Sequence, residues 1–168
     1  ASLLYLGAGF GMLIIYLAQN LGKMRRLEAH LSAKDLPYTL GMIALDVAAP
    51  MLLITGLRLT TSSNAALLGN FEIVATSVIA LVIFKEAVGR RLWVSIILIT
   101  AASTLLAFEG ADSLKFSLGS LLVLLACTCW GLENNFTRML SLKDPIQIVI
   151  VKGFGSGLSA LVIAIAAG

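Results

Sequence analysis

The sequence predicts an all-α fold: a polytopic transmembrane helix bundle with about six spanning helices. Of the 168 residues, 59% are apolar and 12% charged, and the mean hydropathy is +0.99. A soluble domain is about half apolar and a quarter charged. The apolar residues gather in six runs of spanning length. A chain of this size has too little interior to hide such runs from water. Transmembrane strands do not fit, because they are short and alternate in polarity whereas these runs are continuous.

The first run, Ala1–Leu21, has no basic segment before it and reads as a spanning segment, not a cleaved signal. The second, Tyr38–Leu57, contains Pro50, which is expected to kink it. The third, Asn64–Phe84, follows a tight turn at Leu59–Ser63 in which Ser62 or Ser63 can cap the helix. The fourth and fifth are Leu92–Phe108 and Phe116–Met139. The sixth, Pro145–Ala167, opens on Asp144-Pro145, a capping acid before a proline suited to the first turn. The chain starts in mid-helix without a methionine and stops directly after an apolar run, so it is expected to be part of a longer protein.

Lysine and arginine counts set the orientation. One side holds Lys23, Arg25, Arg26, Lys34, Lys85, Arg90, Arg91, Arg138 and Lys143, against Arg58 and Lys115 on the other. This places the long loop, residues 22–35, in the cytoplasm and both chain ends outside, in a multi-pass protein of the inner (plasma) membrane.

Several function classes drop out. The net charge of +3 is spread over short loops and forms no nucleic-acid face. Cys127 and Cys129, two apart on a helix, point to different sides and read as packing residues. His30 is the only histidine and lies in the long loop, so an intramembrane serine hydrolase lacks its base and Ser156 reads as a packing residue. No metal site, cofactor or nucleotide-binding phosphate loop is expected.

An internal echo gives the first functional lead. Gly7, Gly9 and Gly11 recur 146 residues later as Gly153, Gly155 and Gly157, each time within a long apolar run. Five crossings lie between the copies, and an odd number turns the second copy upside down. That is the arrangement of an inverted-repeat transporter, with a substrate site between oppositely oriented halves. Gly7 with Gly11, and Gly153 with Gly157, are small-xxx-small pairs suited to close helix packing.

A family resemblance follows from two stretches. Thr61-Ser62-Ser63-Asn64-Ala65-Ala66-Leu67-Leu68, continuing to Phe71-Glu72 and Phe84-Lys85-Glu86, resembles the EamA repeat of the drug/metabolite transporter superfamily. Glu72 and Glu86 match the family's acids, while Ile73 stands where proline is common and Lys85 where glycine is common. Trp130-Gly131, Asn134-Asn135-Phe136-Thr137-Arg138 and Asp144-Pro145 resemble the first helix of a second repeat, with Lys152 where the family often has arginine. The resemblance implies a ten-helix, 5+5 inverted-repeat transporter, of which this chain holds helices two to seven. Residues 1–110 would be the first repeat without its first helix, and 111–168 the first two helices of the second. The implied function is a secondary permease or exporter of a small-molecule substrate, a metabolite or drug, working by alternating access in the lipid bilayer. The alternatives are a non-translocating accessory subunit and a component of a lipid-linked sugar flippase; a homodimer stays open, and no enzymatic activity is expected.

Six residues, Glu72, Asp46, Glu133, Asn134, Trp130 and Lys152, are candidates for the substrate or ion pathway. Glu72 lies mid-helix, where an ionised acid costs about 2.5–3.5 kcal/mol; it is either a hydrogen-bonded packing acid or a proton or cation relay. Asp46, four residues before Pro50, either organises the polar break there or meets substrate. Trp130, Asn134 and Arg138 share one helix face, with Glu133 on the adjacent one. They form either an interfacial anchor or a grip for an amine, amide or acid. Lys152 lies roughly 10 Å along its helix from Pro145 and is expected to snorkel toward the cytoplasmic interface, with a cavity-lining cation as the competing role.

Overall fold

The computed structural model describes residues 2–21, 29–87, 89–108 and 118–166. Among them the order is α1 Ser2–Leu21, a 3-10 turn Ala33–Asp35, α2 Leu36–Leu57, α3 Ser62–Gly69, α4 Phe71–Val82, α5 Arg90–Phe108, α6 Leu118–Met139 and α7 Pro145–Ala166. Helix stands in each of the six expected runs, and no strand occurs among the described residues. Four segments are long and apolar enough to cross a membrane: Ser2–Leu21, Ala33–Leu57, Ser62–Val82 and Pro145–Ala166. Lys23, Arg25, Arg26, Lys115 and the expected helix start at Phe116 lie outside the described residues.

Polar side chains share the interior with apolar ones, and many large apolar side chains face outward. Asp46, Asn64, Ser120, Glu133, Asn135, Asp144 and Ser156 are buried, while Leu4 is 80% and Ile165 74% exposed. Large apolar side chains facing outward in such numbers mark surface that lipid or further protein covers.

Contacts divide the chain into two compact units, Ala1–Val47 with Phe136–Gly168, and Ala48–Asn135. In the first, α1 and α7 pack against each other. A Cβ added at Gly153 would lie 2.7 Å from Gly9 Cα and 2.7 Å from Tyr5 O, and one added at Gly157 would lie 2.8 Å from Leu6 Cγ. Contacts that move back along α1 as they advance along α7 make the pair antiparallel. Phe10 and Phe154 meet edge to face beside this seam, ring centroids 4.8 Å apart. The seam corrects one expectation: among the described residues a Cβ at Gly7 or Gly11 would meet nothing within 4 Å, and Gly9 makes the approach to α7 instead. Positions 7 and 11 share one helix face while 9 lies on the opposite one, and spacing alone does not reveal which face meets the partner.

Local signals explain the helix ends. Asp144 Oδ1 accepts from the Ile146 N–H at 2.9 Å, capping α7 ahead of Pro145. The cap of α3 is Thr61, not Ser62 or Ser63: its side chain accepts from the Asn64 N–H at 3.3 Å. The starts of α2 and α7 are held together by Lys143 Nζ on Asp35 Oδ2 at 2.9 Å and by the Leu31 N–H on Gln147 Oε1 at 3.1 Å. Helix α2 continues through Pro50. In this unit Met42, Leu140 and Ile148 form the core.

In the second unit, Ala65, Val123 and Cys127 form the core, with Leu53 and Leu68 against it. Gly119 abuts Gly56, and Gly131 abuts the backbone of Ala75 and Thr76. Asn64 Nδ2 donates to Ser120 Oγ at 2.8 Å. The third span is broken where α3 gives way to α4 at Asn70. The Asn70 N–H and its side-chain amide both donate to Leu67 O, at 3.2 and 3.3 Å, tightening the turn.

Two stability tests follow. Gly153→Leu drives a side chain into α1 backbone and is expected to cost at least ~1–3 kcal/mol, whereas Gly7→Leu and Gly11→Leu leave the melting temperature in detergent nearly unchanged. Thr61→Ala should cost about 1 kcal/mol through the lost cap, with Ser62→Ala and Ser63→Ala within about 0.5 kcal/mol of the parent, read in the same assay.

Candidate functional site

A polar cluster forms inside the first unit, where α1, α2 and α7 meet. Asp46 on α2 is 2% exposed. Its Oδ1 accepts from the Tyr5 hydroxyl of α1 at 3.2 Å. Its Oδ2 accepts from the Ser156 hydroxyl of α7 at 3.3 Å and lies 3.4 Å from Lys152 Nζ. Lys152 and Ser156 are one helical turn apart, so both address the same carboxylate. Asp46 is about 15 Å along α2 and Ser156 about 16 Å along α7 at 1.5 Å per residue. Since both helices have 22 residues, the cluster sits near mid-span, the depth at which inverted-repeat transporters bind substrate.

Two expectations change here. Lys152 does not snorkel: a buried carboxylate supplies the counter-charge that the interface would otherwise provide. Ser156 is completely buried, as a packing residue would be, yet it also donates a hydrogen bond to Asp46. The Asp46 side chain turns toward α1 and α7. Tyr5 was invisible as a site residue in the sequence, and its signal was a polar tip in an otherwise apolar run.

A second polar group lies within the other unit, between α4 and α6. Asn134 Nδ2 donates to Glu72 Oε1 at 3.1 Å and approaches Thr76 Oγ1 at 3.4 Å. Asn135 Nδ2 donates to Thr76 O at 3.0 Å and to Gly131 O at 2.7 Å. The bare backbone of Gly131 permits this close approach of α6 to α4. Glu72 is midway along the third span but not mid-helix, because the break at Asn70 places it in the first turn of α4. The positive end of that helix favours an acid there. Glu133 is buried at 3% exposure, Trp130 is half-buried and Arg138 is exposed. Thus the structure brings together Asp46 with Lys152 and, separately, Glu72 with Asn134.

Among the described residues no group of three or more histidine, cysteine, aspartate or glutamate side chains is placed to hold a metal ion. Cys127 is buried, its Sγ 3.4 Å from Leu68 O, and Cys129 is half-buried.

Comparison with known proteins agrees with this architecture. The profile of the EamA-like transporter family matches residues 1–108. An uncharacterized transporter from Methanothermobacter thermautotrophicus is 32% identical over 142 residues, covering 81% of this chain and 41% of the relative. The chain therefore spans about two fifths of the length of that curated relative. With helix in each expected run, four spans of membrane-crossing length among the described residues, and a family profile over more than half its length, this chain belongs to the EamA-like transporter family and is part of a multi-pass membrane protein.

Proposed function

We propose that the chain forms part of a secondary permease that moves a small polar or amphipathic metabolite outward by alternating access between two inverted halves. The observation that carries this reading is the antiparallel α1–α7 pair with an enclosed carboxylate, and the ammonium paired with it, beside it at mid-span. Ionisable groups at that depth are costly and are retained where they serve a pathway. Coupling runs through an ion gradient in this reading, with Glu72 as a proton relay. Its place at the head of α4, with an amide donor 3.1 Å away, gives it a partner in the ionised form. Asn134, Glu133 and Trp130 would line the same path, and the protein would act as a carrier, not an enzyme. Loop 22–35 would face the cytoplasm, in the plasma membrane, by the bias of basic residues.

The test uses the protein from the complete reading frame, reconstituted in vesicles loaded with pooled cell metabolites, with and without a pH gradient. Solute release that responds to the gradient is expected, and Glu72→Gln is expected to flatten that response while leaving the protein folded. A pH profile identical in parent and variant removes Glu72 from the relay; absence of any solute flux overturns the permease reading.

A further inference from the structure

We propose that Lys152 is the binding point for an oxyanion of the transported solute, a carboxylate or phosphate group, and that Asp46 is the resident counter-ion which that group displaces. This rests on the permease reading above and adds the substrate class to it.

The two members of the pair differ in how firmly they are held. The Asp46 side chain is 3% exposed, and that of Lys152 is 26% exposed. Each Asp46 carboxylate oxygen accepts a hydroxyl, Oδ1 from Tyr5 and Oδ2 from Ser156. These hydroxyls sit on different helices, so the carboxylate is fixed from two sides without the lysine. Lys152 stands 3.4 Å from Oδ2, whereas a charge-assisted N–H···O bond is about 2.7–2.9 Å. An ammonium on a four-carbon stem can swing away from such a partner, and Tyr5 and Ser156 keep Asp46 hydrogen-bonded when it does. The reachable, movable charge is the positive one, so the group it meets carries negative charge. A cationic solute would have to reach Asp46, which is enclosed. In the absence of solute the aspartate spares the membrane interior an isolated ammonium, and a solute oxyanion replaces it charge for charge.

The experiment sorts by charge the solutes released from the metabolite-loaded vesicles described above. Carboxylates and phosphates are expected to dominate the moved pool, and their identities tell the two groups apart. Lys152→Gln is expected to lower anion flux about tenfold or more, the factor for losing a charged hydrogen-bond donor. That change leaves Asp46 without its ammonium and can impair folding, so Asp46→Asn/Lys152→Gln, which removes both charges together, is measured beside it and shows the same loss. Anion flux that persists in a folded Lys152→Gln or double variant overturns the proposal. So does a moved pool of only cations and neutral molecules, a result that leaves the permease reading standing. Vesicles that move nothing overturn both.

Discussion

Two backbones with no side chain between them, at Gly9 and Gly153, set the geometry of the first unit. At this distance a single Cβ on Gly153 would collide with main-chain atoms of α1, while one on Gly9 would press on the backbone of Gly153 and Phe154 at 3.2–3.4 Å, so the contact needs glycine at 153 and favours it at 9. Lipid supplies little hydrophobic drive for helices to associate, and close van der Waals packing takes its place. Because the two backbones nearly touch, a short serine hydroxyl on α7 and a tyrosine tip on α1 both reach a carboxylate on α2. A wider spacing of α1 and α7 would draw at least one of these hydroxyls away from Asp46.

The carboxylate in turn explains the lysine. A charge enclosed among apolar helices is tolerated when an opposite charge and hydrogen-bond donors surround it. Asp46 has both kinds of support at once, from two hydroxyls and an ammonium. The second unit solves a similar problem by other means. Its acid, Glu72, sits at a helix start created by the Asn70 turn and receives an amide hydrogen from Asn134. In both units, glycine removes the bulk that would hold the polar groups apart. Buried polar groups and outward-facing apolar side chains of this kind suit a membrane protein of the EamA-like transporter family, to which the chain belongs.

Much of the fold was legible because membrane spans are written in long runs. Each of the six apolar segments holds helix, the third as two pieces, α3 and α4, and Asp144-Pro145 announced the start of α7 through capping chemistry that acts over three residues. What escaped the sequence depended on partners far along the chain. Ser156 meets Asp46 across 110 positions, and nothing local to Lys152 distinguishes a paired ammonium from a snorkelling one. The choice of Gly9 over Gly7 and Gly11 depends on which helix face meets α7, a fact of tertiary packing. The break at Asn70 did have a local sign, since Gly69-Asn70 pairs a weak helix former with a side chain that competes for backbone carbonyls. A strongly apolar flank on each side concealed it.

The direction of α1 against α7 can be read by cysteine pairing across the seam. With Leu6→Cys, the antiparallel arrangement predicts a disulfide with Gly157→Cys, which faces Leu6, and none with Ile150→Cys. Cross-linking at Ile150→Cys in preference to Gly157→Cys would mean that the two glycine-bearing helices run in the same direction, and the inverted pairing would be wrong.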